Sequence, residues 1–170
     1  AELDATLGQK GLDDAVAHYA DSEPEFTALC PVLKGRDPDD AFSRIPYEKG
    51  FNLLYYLMTV IGSKAEFDDF LLAYIENFKG QCITSDDFKQ FFLGYFGSRT
   101  IKGDLGSIDW DEWFQGQGPG PQRNTFDASL REDADALAAA WLAGDGAAQP
   151  ADTYEKMNTP QRICFLNRLV

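Results

Sequence analysis

The stretch Phe51-Asn52-Leu53-Leu54-Tyr55-Tyr56-Leu57-Met58-Thr59-Val60-Ile61-Gly62-Ser63, continued by Lys64-Ala65-Glu66-Phe67-Asp68-Asp69-Phe70-Leu71, sets the fold class. Phe51, Leu54, Tyr55, Met58 and Ile61 recur at helical spacing, and Phe67, Phe70, Leu71, Tyr74 and Phe78 repeat the rule beyond Gly62. Each set lies on one face of a 3.6-residue helix. Gly62 stands where a helix-ending glycine belongs, so the two segments read as a helical hairpin. Phe88, Phe91, Phe92, Tyr95 and Phe96 form another such face, and Leu12, Ala15, Val16 and Tyr19 a shorter one. Thr84 or Ser85 precedes Asp86 and Asp87, an N-cap followed by acids at the positive end of the helix dipole. Gly80 and Gly97 also come just after periodic segments. No stretch sustains period-two alternation. The expectation is an all-α fold of antiparallel helical hairpins.

Further along, the composition shifts. Asp109-Trp110-Asp111-Glu112-Trp113-Phe114 reads as one short helix whose tryptophans anchor the loop after it. That loop, Gly116-Gln117-Gly118-Pro119-Gly120-Pro121, suits neither helix nor strand. Helical spacing resumes with Leu130, Ala134, Leu137, Ala138, Trp141 and Leu142 and breaks again over Gly144 to Pro150. A last helix is expected from Thr159 or Pro160 through Leu169, with proline suited to its first turn. The expected organisation is 1–115, a Pro/Gly-rich linker 116–126, and 127–170. An alanine-rich helical piece as small as the last rarely holds a sufficient core alone.

The chain has 170 residues, with 15 basic against 28 acidic side chains and a net charge of −13. So acidic a surface disfavours nucleic acid and anionic membrane surfaces as partners. Hydrophobic residues at 44% and charged residues at 25% are the balance of a globular chain. The opening Ala1-Glu2-Leu3-Asp4 has neither an initiator methionine nor the order of a signal peptide, and the expectation is a segment excised from a longer chain. Cys30, Cys82 and Cys164 are odd in number and widely spaced, which favours reduced thiols, each expected to be buried, and a cytoplasmic setting. His18 is the sole histidine, so the chain cannot build a zinc site of the usual kind or a histidine-based triad around any motif present.

One segment stands out chemically. Asp37-Pro38-Asp39-Asp40 leads into Pro46-Tyr47-Glu48-Lys49-Gly50-Phe51. A calcium loop fails there, because the sixth position needs glycine and is Phe42. The aspartates suit a turn and N-cap cluster. Pro46 at the start of a helix fixes Tyr47 in the first turn, where a phenol can donate one well-aimed hydrogen bond. Gly50 within a helix implies close approach of another backbone or a ligand.

Those same residues carry a resemblance. The Asp37-Pro38-Asp39 string, then Pro46 through Phe51, resembles the catalytic-tyrosine segment of the M1 zinc aminopeptidases, in the branch of leukotriene A4 hydrolase and aminopeptidase B. Phe70-Leu71-Leu72-Ala73-Tyr74, Ile83-Thr84-Ser85-Asp86-Asp87-Phe88, Tyr95-Phe96 and Asp109-Trp110-Asp111-Glu112-Trp113 come next in the family's order. The likeness is strong over about residues 24–122. It implies the back half of a thermolysin-like catalytic domain, the Pro/Gly link, and the first helices of a C-terminal helical domain. It implies that Tyr47 is the catalytic tyrosine, donating to the oxyanion of the tetrahedral intermediate, and that Asp39 and Phe42 line the substrate pocket. The family's zinc ligands, H-E-x-x-H and a later glutamate, lie upstream by more residues than precede Tyr47. Zinc is therefore implied for the full-length parent polypeptide and not for this chain, which alone is expected to be inactive. A peptide is the implied substrate. The epoxide-hydrolysing members carry a tyrosine where this chain has Phe42, so epoxide opening is less expected than peptide hydrolysis. The alternatives weighed are a diverged homologue without metal and a non-enzymatic acidic helical module that binds a protein partner.

Overall fold

Why Ile45 through Ile61 form a helix is written at its two ends. Ser43 Oγ accepts from the Ile45 amide at 3.1 Å, and Pro46 in the first turn needs no amide partner. At the far end Gly62 is left-handed, φ 80°, and its amide closes onto the Met58 carbonyl. A side chain at Gly62 would place its Cβ 2.4 Å from Lys102 Cβ, so this glycine is required twice over. The segment that crowds it is useful: the Lys102 and Gly103 amides donate to the Ile61 and Val60 carbonyls, two groups a helix end leaves unpaired.

The computed structural model describes residues 2–145 and 152–170, whose regular elements are all helical, with no strand among them. In chain order the helices are α1 (Glu2–Tyr19), α2 (Ile45–Ile61), α3 (Lys64–Phe78), α4 (Ser85–Phe96), α5 (Trp110–Gln115), α6 (Ser129–Leu142), α7 (Thr153–Lys156) and α8 (Thr159–Leu169). Short 3₁₀ turns cover Pro24–Thr27, Pro38–Ala41 and Leu105–Ser107. The expected all-α class is what the chain adopts. The break expected over 144–150 falls mostly outside the described residues.

Two compact units are present, Leu12–Asn124 and Ala1–Gly11 with Thr125–Val170. In the larger, α2 packs on α3 and α3 on α4. Its core holds Leu53, Leu57 and Ile61 of α2, Phe67 and Phe70 of α3, Phe92 and Phe96 of α4, and Trp110, Trp113 and Phe114 of α5. Phe70 is the hub: fully buried, it meets the rings of Phe88, Phe91, Phe92, Tyr95 and Phe96 at centroid distances of 5.3–6.1 Å. Ser63 caps α3, and Thr84 with Asp87 forms a reciprocal capping box at α4. Gly62, Gly80 and Gly97 all follow helix ends as expected; Gly62 and Gly80 are left-handed, with φ 80° and 73°, while Gly97 caps α4 at a right-handed φ of −60°.

In the smaller unit α6 packs on α8, and Leu3, Ala134, Leu137, Ala138, Met157, Cys164 and Phe165 share a core. Helix α8 begins at Thr159 with Pro160 in its first turn, as expected, and Asn158 caps it in a capping box with Gln161. The Gln161 side-chain amide also donates to the Leu130 carbonyl at 3.2 Å, tying α8 to the start of α6.

The face of α2 departs from the sequence expectation. The buried stripe is Ile45, Lys49, Asn52, Leu53, Leu57 and Ile61, while Phe51 and Leu54 are exposed and Tyr55 and Met58 half-buried. The helix is apolar nearly all round, so periodicity alone offers two stripes. The core takes the one that carries a lysine and an asparagine, because both find hydrogen-bond partners there.

Candidate functional site

The first turn of α2 and the segment before it form the candidate site. Asp37 opens it: its side chain accepts from the Asp39 amide at 3.0 Å and caps the Pro38–Ala41 turn, as the turn-and-cap reading expected. Asp39 lies in that turn with its side chain exposed, and its carbonyl accepts from the Phe42 amide at 3.2 Å. Phe42 stands out into solvent at 71% exposure. The Tyr47 and Glu48 amides both close onto the Arg44 carbonyl, at 3.1 and 3.0 Å, and complete the turn behind Pro46. Tyr47 is 63% exposed, and its ring meets Phe42 edge-on, 6.3 Å between centroids at 80°. The structure thus brings Phe42 and Tyr47 into contact and joins Asp39 to them through the backbone of one short segment.

Tyr47 faces outward because its neighbours face inward. Ile45 and Lys49, two residues to either side, have no exposed surface, and a step of two residues is about 200° around a helix. Lys49 is the residue that sequence reasoning passed over. Its Nζ donates to the carbonyls of Thr27 at 3.1 Å, Gly116 at 2.7 Å and Gly118 at 3.0 Å. Burial, partly offset by the charges of Glu112 and Cys30, lowers its pKa to about 8. A signal did exist: Lys49 is four residues from both Ile45 and Leu53, inside the apolar stripe, where a lysine needs partners. Behind it, Asn52 donates to the Glu48 carbonyl, and Asn124 donates to both the carbonyl and the side-chain oxygen of Asn52.

Other expectations are settled locally. Gly50 faces no tight approach: a Cβ there would meet Leu29 Cδ1 at 3.7 Å, an ordinary contact. Trp110 and Trp113 are buried as expected, and Trp113 lies under the Pro/Gly loop, where a Cβ on Gly120 would come within 3.0 Å of its ring. Of the thiols only Cys164 is buried; Cys30 is half-buried and Cys82 exposed, because Cys82 sits in the turn between α3 and α4 where no helix face covers it. No group of three or more histidine, cysteine or acidic side chains among the described residues could hold a metal ion, and His18 stands exposed beside Tyr19. The donor set present does not fit a zinc ion.

These features define an all-helical segment that presents one tyrosine from a proline-started turn. The chain belongs to the M1 peptidase family: the Peptidase family M1 domain matches residues 2–113. It is 42% identical over 171 aligned positions to Leucine aminopeptidase 2 of Aspergillus clavatus, covering 98% of this chain and 27% of that protein. It is 40% identical to a leukotriene A-4 hydrolase homolog of Botryotinia fuckeliana, covering 99% of this chain and 26% of that one. Among solved structures, native leukotriene A4 hydrolase from Saccharomyces cerevisiae superposes with a TM-score of 0.88 at 31% identity, over 99% of this chain and 28% of its own. The chain therefore spans little more than a quarter of the length of these relatives.

Proposed function

We propose that this chain is part of a zinc-dependent aminopeptidase that removes N-terminal residues from peptides, and that it supplies the oxyanion-stabilising tyrosine of the reaction. Membership of the M1 family supports this reading, and the exposed Tyr47 on its braced helix turn is the observation that carries it. The acidic interaction module has no comparable support. Zinc in such an enzyme would supply Lewis-acid chemistry, and its ligands would come from polypeptide outside this chain. What this chain contributes is a donor. As the carbonyl becomes tetrahedral its oxygen gains negative charge, and Tyr47 Oη donates a hydrogen bond to it. Asp39 and Phe42 line the adjoining substrate surface. On this reading 1–115, with Tyr47, belongs to the catalytic part, 116–126 is the link, and 127–170 opens the C-terminal helical part. A cytoplasmic setting suits the unpaired thiols, and no helix among the described residues is long and apolar enough to cross a membrane.

The test is Tyr47→Phe in the full-length polypeptide. The ring and its contact with Phe42 remain, so fold and zinc content are expected to survive. Turnover should fall about 10²–10³-fold, the usual cost of one oxyanion donor. KM should change far less, since the oxyanion exists only after attack. A variant retaining more than about a third of wild-type turnover with full zinc would leave too little transition-state energy for an essential donor, and Tyr47 would be a surface aromatic only.

A further inference from the structure

Lys49 has no exposed surface, yet it carries a charge with no carboxylate on it. Its ammonium has three hydrogens, and each has a backbone carbonyl, from Thr27, Gly116 and Gly118. The two segments that supply these carbonyls are also tied to each other. Thr27, also buried, accepts from the Gly118 amide at 2.8 Å through Oγ1 and donates to the Pro24 carbonyl at 2.6 Å. Gly118 and Gly120 hold positive φ, 82° and 103°, so the loop turns its carbonyls inward and lies close on Trp113. One side chain thus joins the 24–27 turn, the 116–120 loop and the start of α2.

The segment 34–40 before α2 is exposed along its whole length, and its hydrogen bonds are mostly local. In the first two turns only Ile45 and Lys49 are fully buried, and they flank Tyr47 on either side. We propose that Lys49 is a positioning residue for the peptidase reaction: by gripping three carbonyls of two irregular segments it fixes the first turn of α2 and so the placement of the Tyr47 hydroxyl. This rests on the reading of Tyr47 as the oxyanion donor. A leucine or methionine would fill the same stripe without the cost of burying a charge, but neither can hold loop carbonyls at fixed distance. Misplacing a reacting group by about 1 Å can cost 10²-fold, so modest loosening should show in turnover.

The experiment is a double-mutant cycle in the full-length polypeptide, with Lys49→Met, Tyr47→Phe and both together, assayed for kcat, KM and zinc content. Lys49→Met keeps the length and the apolar stem and removes the donors. It is expected to lower kcat about tenfold, part of the range that misplacement can cost, with KM within about twofold and zinc unchanged. In the Tyr47→Phe background the same substitution should change kcat by less than about twofold, since the hydroxyl being placed is gone. Equal losses in both backgrounds, or no loss in either, would overturn the inference while leaving Tyr47 as donor. An unimpaired Tyr47→Phe would overturn the donor reading and this inference with it. Should Lys49→Met fail to fold, Thr27→Val weakens the same clip by removing the partner of the Gly118 amide. It is expected to lower kcat about two- to threefold, again only where the Tyr47 hydroxyl is present, and equal loss in both backgrounds would count against the proposal.

Discussion

At Lys49 two opposing effects meet, and pH separates them. Burial disfavours the ammonium, while three carbonyls and the charges of Glu112 and Cys30 favour it. Burial wins, and the pKa is lowered to about 8, against about 10.4 for an unperturbed lysine. The unfolded chain therefore holds a proton on Lys49 between those values that the folded protein has released. Stability rises with pH wherever the unfolded state binds more protons. The contribution of Lys49 is thus fully present above pH about 10.4 and is lost as pH falls through about 8. Denaturant titrations of wild type and Lys49→Met at several pH values, taken as a difference, cancel the titration of other groups. The wild type is expected to gain on the variant from pH 8 to 10. A difference that narrows over that range would mean the carbonyls hold the ammonium better than water does.

At the scale of elements, the aromatic faces of α3 and α4 explain most of the larger core, and Phe70 concentrates it. Phe70→Ala would remove a fully buried ring with aromatic neighbours on two helices. It is expected to cost about 3–5 kcal/mol, read as a lowered denaturation midpoint with an unchanged slope. Phe91→Ala, at a half-buried ring on the facing helix α4, should cost clearly less. Equal costs would mean the core is loosely packed around Phe70. These faces were legible in the sequence because the aromatic residues of α3 and α4 recur at helical spacing on one side of each helix. The α2 stripe was not, because Phe51 and Leu54 match the period as well as Leu53 and Leu57 do. What selects between them is the partnering of Lys49 by Gly116 and Gly118, 67 and 69 residues away in sequence, and of Asn52 by Asn124. Leu3 packing with α6 and α8 is likewise a contact no local period can register. Tyr47, Asp39 and Phe42 could be picked out because their string is distinctive. Their exposure and the ring contact between Phe42 and Tyr47 depend on which side of α2 is buried, and that had to come from the structure.

At the scale of the molecule, large apolar side chains remain uncovered on both units. In Leu12–Asn124 they include Leu72 and Ile75 on α3, 65% and 60% exposed. In the smaller unit Trp141, Leu142 and Leu166 are each half or more exposed. Single exposed apolar residues are ordinary, but contiguous ones on a helix face mark a surface that something covers. On the proposed reading, the remainder of the peptidase covers some of it. Roughly 200–400 Å² of apolar surface is worth on the order of 5–10 kcal/mol at about 25 cal/mol per Å², as much as the whole stability of many domains. The 170-residue chain by itself is therefore expected to bind a hydrophobic dye such as anilinonaphthalene sulfonate, or to self-associate, despite a net charge of −13 that opposes association. The same residues within the full-length polypeptide should bind little dye. Dye fluorescence and sedimentation of both proteins at matched concentration test this. A chain that is monomeric, dye-silent and unfolds in one sharp reversible step would show that these faces need no cover, and would favour an independent helical module over a part of an enzyme.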